Sequence, residues 1–365
     1  MIESIILPLI GGIVILTLGA DKLVSAASRL ALAFGVPALI VGLTLVAMGT
    51  SAPELAITLI SASKGNADIA LGNVLGSNVL NILLVLGISS IIRPLVAQRQ
   101  LLLWDVPIMI AFTGLVWIFA SSAQNISATE GFILLALLVP YIILLISLAR
   151  REKKMSIAEL GILDEGARMP RLTGVELFKD ISWIILGITG LTVGAHYFTE
   201  GAVALATYLS IPEWIVGLTI VAFGTSLPEL ATSIVAGLKG SSDIAIGNIV
   251  GSCIFNLLWV LGPAAFLVDG GLSVGAAALE FDFPFLFIIT AGTLPIFISG
   301  KKMSRLEGCL FVACYAFYVF VLVNQVMYPE GYDAFVSLLF KVFLPAFAIA
   351  ILVTAFVPES ATKNE

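Results

Sequence analysis

Two glutamates lie in the middle of long apolar segments. Glu54 falls within residues 37–62 and Glu229 within 212–237, and neither segment contains a Lys or Arg. A charged side chain at the centre of a bilayer costs roughly 2.5–3.5 kcal/mol on insertion scales. Each could be a protonated structural residue that is hydrogen-bonded to a neighbouring helix, but two acids at equivalent places favour a shared cation site.

Small polar side chains surround each acid at helical spacing. Thr50 precedes Glu54 by four residues, so the two share one helix face. A single Ser, Thr or Asn in a membrane helix usually hydrogen-bonds to a neighbouring helix, whereas the mirrored set here favours binding. Hard oxygen ligands suit Na⁺, Ca²⁺ or Mg²⁺. The predicted side-chain ligands are Thr50, Ser51, Glu54, Ser77, Asn81, Thr225, Ser226, Glu229, Ser252 and Asn256.

Two prolines add backbone oxygens to this set. Pro53 and Pro228 have no N–H, so the carbonyls of Gly49 and Gly224 lose their helical partners. The alternative is a kink that serves packing alone. Free carbonyls at membrane depth are tolerated where they line a cavity or pack on protein. We therefore also expect the carbonyls near Ala47 and Ala222 to face a bound ion.

The polar residues belong to an internal repeat. Residues 41–87 align with residues 216–262 at a constant offset of 175, with 27 identities in 47 positions. Membrane helices share a restricted alphabet, but chance does not explain matched polar residues such as Asn73 and Asn248. The sequence therefore predicts a duplication.

Composition identifies the elements that must position these residues. The chain has 365 residues, of which 59% are apolar and 12% charged, against about 25% charged in soluble domains. A membrane-spanning helix needs about 20 apolar residues. The net charge of −6 gives no basic surface for nucleic acid. Eleven segments qualify as spans: 4–30, 37–62, 68–92, 101–121, 127–149, 176–208, 212–237, 243–267, 279–299, 306–327 and 333–356.

The basic stretch 150–173 sets the orientation. Its Lys and Arg residues predict a cytoplasmic linker, with the N-terminus outside and the C-terminus inside. Five spans separate the two copies, so they enter the membrane from opposite sides, as in many secondary transporters. The predicted fold is an all-α polytopic membrane protein of the cell (inner) membrane. Its parts are a five-helix repeat at 1–149, the linker, an inverted-topology repeat at 174–328, and an eleventh helix in the extension 329–365.

Charge balance narrows the substrate. Two ionised carboxylates give the pocket a charge of −2, which one Ca²⁺, two Na⁺ or two protons neutralise. A net charge in a low-dielectric site costs several kcal/mol, so empty and half-filled states resist crossing. Such a site is suited to exchanging one divalent cation for monovalent ones.

The paired GTSAPE (49–54) and GTSLPE (224–229), followed by GN.LGSN..N and GN.VGSC..N, resemble the repeats of the Ca²⁺/cation antiporter superfamily. The prokaryotic sodium/calcium exchangers are the best match. The resemblance implies four cation sites between the second, third, seventh and eighth helices, against which the first and sixth slide. It also implies Ca²⁺ at Glu54, Glu229, Thr50 and Thr225, and Na⁺ at Ser51, Ser77, Ser226 and Ser252.

The resemblance leaves some alternatives open. Some family members carry Asp where this chain has Asn256, which bears on the number of Na⁺ bound and on any role of protons. We expect a Ca²⁺/Na⁺ antiporter without a cofactor rather than an enzyme, with H⁺ or K⁺ coupling and a cation channel as alternatives. Asp68 and Asp243 open the third and eighth spans, where we expect them to cap the helices.

Overall fold

The described residues are mostly helical. The computed structural model describes residues 5–159, 173–209, 222–300 and 302–327, together with 337, 341 and 345. Within these ranges eight helices are long and apolar enough to cross a membrane, and one bent pair makes a ninth. The helices are α1 (Leu7–Phe34), α2 (Ala38–Thr50), α3 (Ala52–Ser63), α4 (Ala67–Ile92), α5 (Leu101–Ala123), α6 (Ala128–Glu159), α7 (Gly174–Tyr208), α8 (Ala222–Thr225), α9 (Leu227–Leu238), α10 (Ser242–Leu267), α11 (Ala278–Ile298) and α12 (Arg305–Met327).

These helices match the predicted spans wherever the chain is described. The second predicted span is the bent pair α2–α3, and the described half of the seventh is α8 with α9. Helix α6 continues to Glu159, so the first part of the predicted linker is helical. The predicted eleventh span, 333–356, and residues 160–172 of the linker lie outside the described ranges.

Helix α10 forms the centre of the molecule. Every residue from Ile244 to Phe255 is buried, which requires protein on all sides of this helix. Its glycines permit close approach: a Cβ built on Gly247 would lie 2.7 Å from the carbonyl oxygen of Leu39, on α2. Small residues let backbones touch in this way, so α2 and α10 form a tightly packed core.

Helices α1 and α7 pack side by side and antiparallel. A Cβ on Gly12 would meet the backbone of Phe198, and one on Gly19 would lie 2.9 Å from the oxygen of Gly187. Further along, Arg29 pairs with the buried Asp180 at 2.5 Å. The opposite faces of both helices expose large apolar side chains such as Leu7 and Phe178, as expected for a surface in lipid.

Four short strands join the two halves of the chain. Strand β1 (Leu95–Val96) pairs antiparallel with β4 (Lys302–Met303), and β2 (Asn125–Ile126) pairs with β3 (Leu272–Ser273). Strand β3 follows β1 by 177 residues, and β4 follows β2 by the same interval. The two strands of the first half, β1 and β2, are therefore equivalent to β3 and β4 of the second half. Each pairs with the strand that is not its own equivalent.

Candidate functional site

Both acids stand directly after a break in their helices. The chain leaves helical geometry at Ser51 (φ −81°, ψ 7°), and α2 and α3 are bent by 43° there. The same break occurs at Ser226 (φ −92°, ψ 8°), between α8 and α9. Pro53 and Pro228 follow the two breaks, and Glu54 and Glu229 lie in the first turns of α3 and α9. The sequence prediction of interrupted helices is confirmed in these described segments.

The two breaks face each other and exchange hydrogen bonds. Ser51 Oγ donates to Glu229 Oε1 at 3.2 Å, and Ser226 Oγ donates to Glu54 Oε1 at 3.2 Å. Both glutamates are 0% exposed. Among the ion pairs of the described residues, none includes either acid. The site therefore brings two carboxyl groups together without a basic side chain.

The predicted hydroxyl groups line the same centre. Ser252 Oγ donates to Glu229 Oε1 at 3.3 Å and lies 3.4 Å from Thr50 Oγ1. Thr225 Oγ1 donates to Asn73 Oδ1 at 3.4 Å. Ser77, on α4, is 3% exposed. Every predicted side-chain ligand is buried.

Several oxygens in this centre have no donor among the described residues. They are Glu54 Oε2, Glu229 Oε2, Asn81 Oδ1 and Asn256 Oδ1, and all four are buried. A buried acceptor without a donor costs about 1–3 kcal/mol. Two of these oxygens come from each repeat, and hard oxygens of this kind are the ligands that Na⁺ and Ca²⁺ prefer.

Local widening of the helix occurs where the two asparagines stand. A π-helical turn begins at Asn81 and runs to Val85 in α4, and another runs from Asn256 to Val260 in α10. Such turns insert one residue into the helix and concentrate at functional sites. The sequence pattern contains no signal that predicted them.

Two residues of the repeat alignment hold the acids in place. Asn73 Nδ2 donates to Thr58 Oγ1 at 2.8 Å and to the backbone oxygen of Glu54 at 3.2 Å. Asn248 Nδ2 does the same with Ser233 Oγ at 3.1 Å and with the carbonyl of the second glutamate at 3.4 Å. The predicted ligand set omits both asparagines, although their identity in the two repeats was a usable signal.

The backbone ligands and the helix caps differ from expectation in detail. The carbonyl of Ala47 accepts hydrogen bonds from Ser51 N at 3.0 Å and Thr50 Oγ1 at 3.3 Å, so its role as an ion ligand stays a prediction. Ala222 begins α8. The prediction that Asp68 and Asp243 cap their helices was wrong. The N-cap residues are Asn66 and Ser241, because each helix begins one residue before its aspartate, which therefore lies in the first turn. Asp243 instead accepts from Gln98 Nε2 at 2.6 Å.

Comparison with known proteins agrees with this geometry. The family model described as "Sodium/calcium exchanger protein" matches residues 4–147 and 179–324, which contain both helix breaks and both acids. The chain belongs to the sodium/calcium exchanger family. It is accordingly a multi-pass membrane protein of the Ca²⁺/cation antiporter superfamily.

Relatives and solved structures match three quarters or more of the chain. The sodium/calcium exchanger MaX1 of Methanosarcina acetivorans is 32% identical over 350 residues, which is 88% of this chain and 99% of MaX1. The inner membrane protein YrbG of Escherichia coli is 36% identical, over 75% of this chain and 83% of YrbG. The sodium-calcium exchanger NCX_Mj, in a structure soaked with Na⁺ and Sr²⁺, superposes with a TM-score of 0.73 at 27% identity, covering 87% and 98% of the two chains.

Proposed function

We propose that this exchanger moves Ca²⁺ against Na⁺ by alternating access, with the ions held between the two repeats. The observation that carries the proposal is the exchange of hydrogen bonds between Ser51 and Glu229 and between Ser226 and Glu54. Each carboxylate keeps a second buried oxygen for a cation. One Ca²⁺ or two Na⁺ neutralise the pair, which lets the loaded protein change conformation at low electrostatic cost.

Within this centre we assign the ions as the family resemblance implies. Ca²⁺ binds between the two glutamates and Thr50 and Thr225, because the two acids supply the charge that a divalent ion needs. Na⁺ uses the flanking serines, which add neutral oxygens near the same carboxylates. The serine ligands are Ser51, Ser77, Ser226 and Ser252.

An inverted repeat of five plus five spans, followed by an eleventh, is the architecture that we propose. The strand pairs support it, because β1 with β4 and β2 with β3 are what a two-fold axis in the membrane plane produces. Equivalent side chains continue beyond the aligned segment at the offset of 177. Ser127 with Glu130 forms a capping box at the start of α6, and Ser304 with Glu307 does so at the start of α12.

Helices α1 and α7 are the elements that we propose to slide. Their contact is built on glycines that are themselves related by the offset of 175, Gly12 with Gly187 and Gly19 with Gly194. Because the backbones of α1 and α7 touch at these glycines, the pair can move as one body along α9, on which both helices pack. Access to the acids would then alternate between the two sides.

We place the protein in the cell (inner) membrane, with the N-terminus outside and residues 150–173 in the cytoplasm. The name of YrbG, an inner membrane protein, supports this location, and the Lys and Arg residues of the linker support the orientation. The names of relatives such as a putative antiporter and a sodium/calcium exchanger support ion transport as the activity.

The deciding experiment is ⁴⁵Ca²⁺ uptake into proteoliposomes under an imposed Na⁺, K⁺ or H⁺ gradient. We expect uptake only when internal Na⁺ exceeds external Na⁺. Uptake that follows a pH or K⁺ gradient alone would replace Na⁺ as the coupling ion, and unitary currents in a planar bilayer would replace exchange by a channel.

A further inference from the structure

Beside the proposed cation centre, one buried amide of the first repeat is replaced by a thiol in the second. At the offset of 175, Asn81 aligns with Asn256, but Asn78 aligns with Cys253. Asn78 is 1% exposed, and Cys253 and Asn256 are 0% exposed. An amide therefore stands on one side of the two-fold where a thiol stands on the other, and both are fully enclosed by protein.

The side chain of Asn78 hydrogen-bonds to two residues of the second repeat. Asn256 Nδ2 donates to Asn78 Oδ1 at 3.0 Å, and Asn78 Nδ2 donates to the backbone oxygen of Cys253 at 3.2 Å. A backbone carbonyl can only accept. The nitrogen of Asn78 must therefore face Cys253, its oxygen must face Asn256, and Asn256 must turn its own nitrogen toward Asn78.

The orientation of Asn256 follows from this chain of donors. With its nitrogen engaged, its carbonyl oxygen is left buried and without a donor among the described residues. Asn81 differs, since neither its Nδ2 nor its Oδ1 has a partner in the described part of the chain. Cys253 stands where the counterpart of Asn78 would be, and a thiol is only a weak donor and acceptor.

We propose that Asn78 is a positioning residue that fixes the amide oxygen of Asn256 toward the transported cation. The centre then has one pre-oriented amide ligand, Asn256, and one adaptable amide, Asn81. Pre-orientation strengthens binding because the cost of ordering the ligand is met before the ion arrives. The inference rests on the proposed function, since it gives Asn78 a role at the same site.

The test uses the substitution that the second repeat already contains. Asn78→Cys removes the hydrogen bonds of the Asn78 amide and places there the residue that the equivalent position carries. N324L is the control: Asn324, on α12, donates to Phe320 O at 2.8 Å within the described part of the chain. We expect N78C to raise the KM for Ca²⁺ about tenfold with the maximal rate within twofold of the parent. N324L should change neither.

A swap variant separates positioning from packing. N78C/C253N moves the amide to the other side of the two-fold, where it can orient Asn81, so we expect the KM to recover most of its loss. A KM unchanged in N78C, or a loss that the swap deepens, would overturn the inference. Equilibrium ⁴⁵Ca²⁺ binding to the purified parent keeps the two proposals apart: no binding at all refutes the proposed function, whereas equal binding by parent and N78C refutes only the role of Asn78.

Discussion

The two halves of the proposed cation centre share their acids and serines but differ in the burial and bonding of their amides. Ser51 and Ser226 each hold the glutamate of the other repeat at the same distance of 3.2 Å. By contrast, Asn248 is buried and accepts from Thr50 at 3.0 Å, while Asn73 is partly buried and accepts from Thr225 at 3.4 Å. The acids and their serine partners are therefore arranged alike in the two halves, whereas the burial and hydrogen-bond lengths of the two asparagines differ.

This difference shows which features of the site are the same in both repeats. The acids must match in both halves, because one unpartnered charge in a low-dielectric centre is costly in every empty or loaded state. On our proposal Asn73 and Asn248 only hold the acids in position, so one side can be tighter than the other.

The largest effect should come from either acid. We expect Glu54→Gln and Glu229→Gln each to reduce Na⁺-driven Ca²⁺ uptake at least about 100-fold, because each removes one of two buried charges that balance the ion. The measurement is ⁴⁵Ca²⁺ uptake into proteoliposomes. If one variant kept near-parent exchange, the two acids would not form a single site.

The amide clamps should separate the two halves. Asn248→Leu should lower Ca²⁺ affinity about tenfold, because it leaves a buried carbonyl and a buried hydroxyl without their donor. Asn73→Leu removes the same contacts from a more open position, so we expect a smaller loss of about threefold. Equal or reversed losses in ⁴⁵Ca²⁺ binding would show that the observed difference in packing has no energetic consequence.

The glycine contact between α1 and α7 should affect rate rather than affinity. A Cβ on Gly194 would lie 2.7 Å from Leu16 N, and one on Gly19 would lie 2.9 Å from the oxygen of Gly187. We expect Gly194→Ala and Gly19→Ala to slow maximal exchange about fivefold, since overpacking costs roughly 1–3 kcal/mol, with KM within twofold. Gly72→Ala is the control, because a Cβ there meets nothing within 4 Å. A KM change without a rate change would argue against sliding.

The smallest effect concerns the lysine that directly follows α9. Lys239 Nζ lies 2.6 Å from Asp21 Oδ1 and also bonds to Ser25 Oγ at 2.5 Å. Its counterpart Lys64 has no ion pair among the described residues, since the position equivalent to Asp21 is His196. We expect Lys239→Met to change the exchange rate roughly twofold to threefold at low salt and less at high salt, as for a partly exposed pair. Lys64→Met should change nothing.

The sequence predicted the parts of the structure that depend on strong local signals. The spans follow from apolar length, and the breaks at Ser51 and Ser226 follow from Pro53 and Pro228. The two acids follow from the cost of charge at membrane depth. The set of polar neighbours followed from the exact register of the repeat.

Features that depend on packing were not predicted. The π-helical turns at Asn81 and Asn256 leave no composition signal, and the strand pairs involve only two residues each. The offset changes from 175 to 177 after the aligned segment, near Gly270 and Gly271, whose positive φ values of 87° and 82° form a turn. That shift concealed the later half of the repeat. The role that we propose for Asn78 was not predicted, because Asn78 aligns with Cys253 and the other site residues were identified by their identity in the two repeats.

Diffraction from crystals soaked with Sr²⁺, a heavier stand-in for Ca²⁺, tests the central claim most directly. We predict one strong anomalous peak between Glu54 and Glu229, within coordination distance of both free carboxylate oxygens, that disappears when Na⁺ is added in excess. A Sr²⁺ ion bound by only one of the two acids, or a peak that Na⁺ leaves unchanged, would contradict the account.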